Sequence, residues 1–360
     1  MSGPDGAGPD RVDPPQVGPD STGVRRIDRG SPDVDVLLRR WADIARDQYR
    51  NPHPDPLGHG GGDGDGSAAG ERPEPSAFVE RLRSEVGDRP VAVAWHRDAG
   101  RSGARLAFAG LRRSRHPLTG ARELTLLCCV AETAEALRCL LAGLDELDGG
   151  ERPPITFELD PPEELREEIA AVLDDLGYVP RQILVSLNLV ADDPSGEPAD
   201  PDRTPVPAGD GVCFRPMEQH EAGFVRDCLA VAVRRGLAGV APVVDLPAWI
   251  RHGIPLPPAA DVLCVIGAVD ADPVCHALGR IGTDPLTGAK YTEVIDTFVI
   301  PERRAGGLSH RAAGALLDAA RSAGCRSARS SAVVDGTQER LVAGLARAGW
   351  KEVGRQWHQK

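Results

Sequence analysis

Residues 299–309 read Val-Ile-Pro-Glu-Arg-Arg-Ala-Gly-Gly-Leu-Ser and gather the groups that hold a compact polyanion. An apolar run, Val294 to Ile300, stops at Pro301. Arg303, Arg304, Gly306 and Gly307 follow. A helix is then predicted from His310 to Ala323, with Leu316, Leu317 and Ala320 on its apolar side. The first amides of a helix have no acceptor within it, and the dipole favours negative charge there. Glycines let the backbone approach such an anion closely. The same strand carries two carboxylates, Glu293 and Asp296, able to take up a proton.

The surrounding elements follow from periodicity and punctuation. Residues 1–31 are rich in Pro, Gly and Asp and are expected to be disordered. Residues 32–50 suit an isolated amphipathic helix with Val36, Leu37, Trp41, Ile44 and Ala45 on one side. Residues 51–75 suit a flexible linker, whose Asp/Gly alternation lacks the ordered ligand set of a calcium loop. A first unit spans 76–190, a second Asp/Pro/Gly-rich linker 191–210, and a second unit 211–360. Within each unit, short strands alternate with helices closed by Gly177-Tyr178 and Gly349-Trp350. Pro117-Leu118-Thr119-Gly120-Ala121 recurs as Pro285-Leu286-Thr287-Gly288-Ala289 in the turn between corresponding strands. Shared letters in the same slot point to duplication.

Composition bounds the function. The chain has 360 residues, net charge −12 and 41% hydrophobic content, enough for two cores. Residues 211–360 hold 18 Lys+Arg against 15 Asp+Glu, and the remainder 24 against 39, giving +3 and −15. A mildly basic half suits a small polyanion. It lacks the clustered cationic face of a nucleic-acid partner. Eight cysteines in mostly apolar contexts, with no Cys-x-x-Cys pair, read as reduced buried thiols. No apolar run is long enough to span a membrane and the N-terminus does not resemble a signal peptide, so a cytoplasmic location is expected. His220, His252, His276 and His310 lack metal-ligand spacing, and no metal is expected.

As a pattern, Arg304-Ala305-Gly306-Gly307-Leu308-Ser309 resembles the (Gln/Arg)-x-x-Gly-x-(Gly/Ala) signature of the GNAT family of N-acetyltransferases. Val299 and Pro301 match the family's lead-in, and Ser309 departs from the usual Gly or Ala. The resemblance covers 211–360 clearly and about 77–190 in a degenerate form. In that form Glu132 and Glu135 stand where the anion would sit. The resemblance implies an α/β (α+β) fold of two tandem mixed sheets flanked by helices, with the fourth and fifth strands of each parting. It implies acetyl-CoA as substrate and a small-molecule or peptide amine as acceptor. The backbone of Phe298, Val299 and Ile300 would take the pantetheine arm. The amides of Arg304, Ala305, Gly306, Gly307, Leu308 and Ser309 would take the pyrophosphate, aided by the Arg303 and Arg304 side chains. Glu293 and Asp296, three apart on one strand, are expected on opposite faces, with Asp296 favoured as the base. The family's usual tyrosine acid is replaced by Leu345, and its asparagine by Gln338. The alternative is a non-catalytic CoA-binding regulatory or scaffold protein. The oligomeric state is open.

Overall fold

The computed structural model describes residues 23–28, 34–48, 75–96, 104–148, 153–159, 161–189, 211–237, 241–284, 286–304, 307–333 and 339–359. Elements run β1 (Gly23–Ile27), α1 (Val34–Gln48), α2 (Pro75–Val86), β2 (Val91–His96), β3 (Arg105–Arg115), β4 (Arg122–Ala131), α3 (Ala134–Asp148), β5 (Ile155–Leu159), α4 (Arg166–Asp175) and β6 (Tyr178–Asn188). The same order then repeats as β7 (Cys213–Pro216), α5 (Ala222–Gly236), α6 (Leu246–Gly253), β8 (Val262–Val269), β9 (Asp272–Thr283), β10 (Lys290–Val299), α7 (Leu308–Ser322), β11 (Ser327–Val333), α8 (Glu339–Arg347) and β12 (Lys351–Gln359).

Two expectations for the N-terminal region are corrected. Residues 23–27, placed in a disordered tail, form an edge strand antiparallel to β2. Ile27 at its end is buried, and the rest of 1–31, apart from Asp28, lies outside the described residues. The helix expected to be isolated is α1, and its Leu38, Trp41 and Ile44 pack with Phe78, Leu82 and Phe108 of the first unit. Burying such side chains contributes about 1.5–3 kcal/mol each, which outweighs the polar sequence around them. Most of the linker expected over 51–75, and all of that over 191–210, lies outside the described residues.

The two sheets expected are joined into one. Its twelve strands run in the order β1-β2-β3-β4-β5-β12-β6-β11-β10-β9-β8-β7. Among the described residues, only β4–β5 and β10–β11 pair in parallel. The last strand of each repeat is exchanged. Strand β12 pairs antiparallel with β5, while β6 pairs antiparallel with β11, and β6 and β12 pair with each other at the centre. Side chains follow: Trp357 of β12 is buried with Ile155, Phe157 and Tyr178 of the first repeat. Val185 and Leu189, from β6 and just beyond it, pack with Leu317, Ala320 and Trp350 of the second.

The repeated five-residue motif has a packing role. His116 Nδ1 lies 3.3 and 3.2 Å from the amides of Leu118 and Thr119, and Asp284 Oδ1 accepts from those of Leu286 and Thr287 at 2.9 and 3.1 Å. Gly120 and Gly288 take φ of 68° and 69°, the left-handed region that such a turn needs. Each turn then serves the opposite repeat. Leu118 is buried with Val225, Leu246 and Ile250, and the Leu118 carbonyl accepts from Val243 N at 2.7 Å. Leu286 packs against the cluster of α1 and α2. Leu118→Ala is therefore expected to cost about 2–4 kcal/mol. Hydrogen exchange should quicken in α5 and α6 rather than in the strands flanking residue 118.

Asp284 also pairs with Arg329, whose guanidinium lies 4.1 Å from the Tyr291 ring centroid. Burial alone would raise the Asp284 carboxyl. The Arg329 hydrogen bond, the Leu286 and Thr287 amides and the arginine's charge outweigh it and hold the carboxyl below the usual carboxylate range. A lowered carboxylate stabilises the fold fully above its unfolded value, about 3.9, and the contribution is lost as pH falls through the folded value. Asp284→Asn is thus expected to lower stability at pH 7 and to flatten its decline below about pH 4, read by urea titration across pH.

No disulfide joins any of the eight cysteines. Burial pushes the Cys129, Cys228 and Cys264 thiols up to about 12. No helix among the described residues is long and apolar enough to cross a membrane.

Candidate functional site

The site begins where two strands part. Strand β10 pairs with β11 only over Tyr291–Val294. Beyond that point Asp296–Val299 keeps β9 as partner, and Ser331–Val333 of β11 keeps β6. Among the described residues, one edge of β10 therefore has no ladder partner along Asp296–Val299. A bulge at Ile295 marks the same point: Val294 lies opposite Gly279 and Asp296 opposite Leu278.

The bulge corrects the expected orientation of the two carboxylates. One extra residue cancels the alternation across it. Glu293 lies opposite Arg280 and Asp296 opposite Leu278. Arg280 and Leu278 are two apart on β9 and share a face, so Glu293 and Asp296 share that face too. It is the face covered by α5 and α6. Their surroundings differ. Glu293 is exposed and stands opposite Arg280 on one side and Arg329 on the other. Asp296 is mostly buried and pairs with a histidine.

That histidine, His276, is the functional candidate that spacing did not reveal. Its Nε2 is 3.0 Å from Asp296 Oδ2, and its side chain is 0% exposed against 16% for Asp296. Its ring lies nearly parallel to Phe298 (centroids 6.3 Å, 11°) and edge-on to Phe224 (6.3 Å, 88°). Its Nδ1 is buried without a hydrogen-bond partner among the described residues. An imidazolium would leave a buried N–H donor unsatisfied there, so the neutral tautomer donating from Nε2 to Asp296 fits best. Ordinary alternation sets Thr297 opposite His276. The Ile295 bulge sets Phe298 there and brings Asp296 within reach.

The turn is described on either side of residues 305–306. Pro301–Arg303 forms a single 3-10 turn, Ala305 and Gly306 lie outside the described residues, and Gly307 caps α7 with φ 71°. The Gly307 carbonyl accepts from the His310 and Arg311 amides at 3.0 and 3.1 Å. The amides of Leu308 and Ser309 precede the first helical acceptor. Leu308 is buried and anchors the helix, while Ser309 and His310 are exposed. Among the described residues, a Cβ built on Gly307 would meet no atom within 4 Å. Arg304 lies at the mouth: its Nε donates to Val299 O at 3.3 Å, and its guanidinium is 5.7 Å from the Phe298 ring centroid. Arg303 is exposed. Val299 is buried in the core beneath α7, and Ile300 packs against it. Leu345 packs near Trp350, and Gln338 lies outside the described residues.

The first repeat parts in the same way, since β4 and β5 pair only over Leu124–Leu126. Its gap is filled. Trp41 Nε1 donates to the Cys128 carbonyl at 2.8 Å, at a bulge where Cys128 takes φ 51°. Glu132 accepts from Leu106 N at 2.8 Å and from Arg40 at 2.5 Å. Helix α1 thus covers the strand edge, and a fixed carboxylate stands before α3.

No family model matches the chain, and no curated protein matches it. Solved structures do. A GCN5-related N-acetyltransferase from Sphaerobacter thermophilus is 13% identical over 94% of this chain and 95% of its own, with a TM-score of 0.51. A tandem GNAT protein from the clavulanic acid biosynthesis pathway is 16% identical over 93% and 98%, with a TM-score of 0.42. The first likeness carries the assignment: the chain has the GCN5-related N-acetyltransferase fold.

Proposed function

We propose that this protein is an N-acyltransferase that moves an acetyl group from acetyl-CoA to an amine of a small molecule or peptide, with the second repeat holding the coenzyme. One observation carries the reading. The free edge of Asp296–Val299, the left-handed Gly307 terminus of α7, and a carboxylate backed by a buried histidine meet at one parting of strands.

The residues present fit the coenzyme. The backbone of Phe298, Val299 and Ile300 offers hydrogen bonds to a pantetheine amide arm. The amides of residues 304–309, with Arg303 and Arg304, offer positive potential to its diphosphate. Asp296 takes a proton from the acceptor ammonium, and the His276 hydrogen bond orients the carboxylate. Amides on the free edge stabilise the oxygen that gains charge as the amine attacks. The fold keeps Tyr291 away from this step, at the opposite end of β10 beside Arg329. A thiol of pKa about 8.5 leaves without a general acid.

The test is a thioester-consumption assay across amine classes. Stoichiometric CoA release with at least one amine class is expected. Tight acetyl-CoA binding with no amine consumed would reject the enzymatic reading.

A further inference from the structure

Strand β2 and helix α3 bring together three ligand-type side chains that the proposed transfer site does not use. On β2, alternation sets His96 on the same face as Ala92 and Ala94, both buried in the cluster under α3. On α3, Glu135 and Cys139 stand four apart, one above the other on a single side of the helix. Their ligand atoms (an imidazole nitrogen, a carboxylate oxygen and a thiol sulfur) all lie within 4.8 Å of one another. The second repeat has Ser309 and Ala313 at the matching positions of its equivalent helix, counting from the first residue of each.

We propose that His96, Glu135 and Cys139 form a zinc(II) site that clasps β2 to α3, with a fourth position open to water. One nitrogen, one carboxylate oxygen and one sulfur are a set that zinc takes and that calcium and magnesium do not. Bonds of about 2.0–2.3 Å place tetrahedral ligands about 3.5 Å apart. Closing from separations of up to 4.8 Å needs side-chain rotation, for which Glu135, 48% accessible, has room. Releasing Glu135 leaves no orphan charge. Its present partner Arg138, at 3.3 Å, also pairs with Asp175 at 2.5 Å. Thiolate and carboxylate together balance the ion's charge. Sequence spacing hides the set because its members lie on different elements, with His96 and Cys139 43 positions apart.

The test uses the full chain, stripped with chelator and titrated with cobalt(II), then zinc(II). One equivalent of cobalt should produce a thiolate-to-metal charge-transfer band and the intense visible bands of a tetrahedral site, both erased by zinc. Cys139→Ser should abolish the charge-transfer band, and His96→Gln and Glu135→Gln should each weaken zinc binding at least tenfold. Cys213→Ser, which alters an exposed thiol elsewhere, should change nothing. Circular dichroism of the metal-free variants checks that they fold, and His96→Gln stands in if Cys139→Ser does not. Absence of the band, its survival in Cys139→Ser, or its loss in Cys213→Ser would overturn the proposal. Because the site lies in the first repeat, it stands or falls independently of transfer activity in the second.

Discussion

Gly307→Glu is expected to weaken acetyl-CoA binding about a thousandfold or more and to silence transfer, with the fold retained. Three effects combine at one position. At φ 71° any side chain costs about 1–2 kcal/mol of local strain. The new side chain enters space before α7 in which a Cβ meets no atom of the described residues within 4 Å. Its charge meets the diphosphate at about 4 Å, which costs about 4 kcal/mol at an effective dielectric of 20. Gly307→Ala separates these, since it carries the strain without the charge. It should bind within about tenfold of the parent. Isothermal titration of both variants with CoA makes the comparison. Parent-like binding by the glutamate variant would remove the assigned loop from consideration.

The second large effect is expected at Asp296. Asp296→Asn should lower kcat/KM by about 10²–10⁴-fold while leaving the dissociation constant for CoA unchanged. The defect should shrink as pH rises, because an acceptor already deprotonated needs no base. His276→Phe keeps an aromatic ring between Phe224 and Phe298 but removes the donor to Asp296. It should lower kcat about tenfold with KM for acetyl-CoA unmoved, as befits a residue that acts by positioning another. Equal loss in both parameters, with a fall in melting temperature, would reduce His276 to a packing residue.

Local patterns were legible in the sequence, and pairings were not. The strand, turn and helix around 290–323 follow from an apolar run, a proline, two glycines and helical spacing, all signals carried within a few residues. The twofold order of elements was partly readable from Leu118 and Leu286 in matched turns. Nothing in the letters says that each leucine packs against the opposite repeat, because a turn motif specifies its own backbone and not its neighbour. The Ile295 bulge was hidden for a related reason. Glu293 to Phe298 reads as an ordinary strand, and one inserted residue reverses every facing assignment beyond it. That hid both the shared face of Glu293 and Asp296 and the bond to His276. The edge strand at 23–27 was masked by the Pro/Gly/Asp-rich residues around it. In β12, alternation marks Trp357 as inward-facing but cannot say which half supplies the interior.

The crossing of β6 and β12 governs how this chain can be made. When Asn188 leaves the ribosome, β6 has no partner, because both its neighbours are encoded beyond residue 326. Strand β5 likewise awaits β12. At about 5–20 residues per second, roughly ten to thirty seconds pass before residues 351–359 are synthesised. Through that interval two strand edges and the apolar pocket for Trp357 stay uncovered on the nascent polypeptide. Such edges recruit other chains. The central part of the sheet therefore closes only once the second half has been made, and neither half expressed alone should yield a monomeric, soluble product.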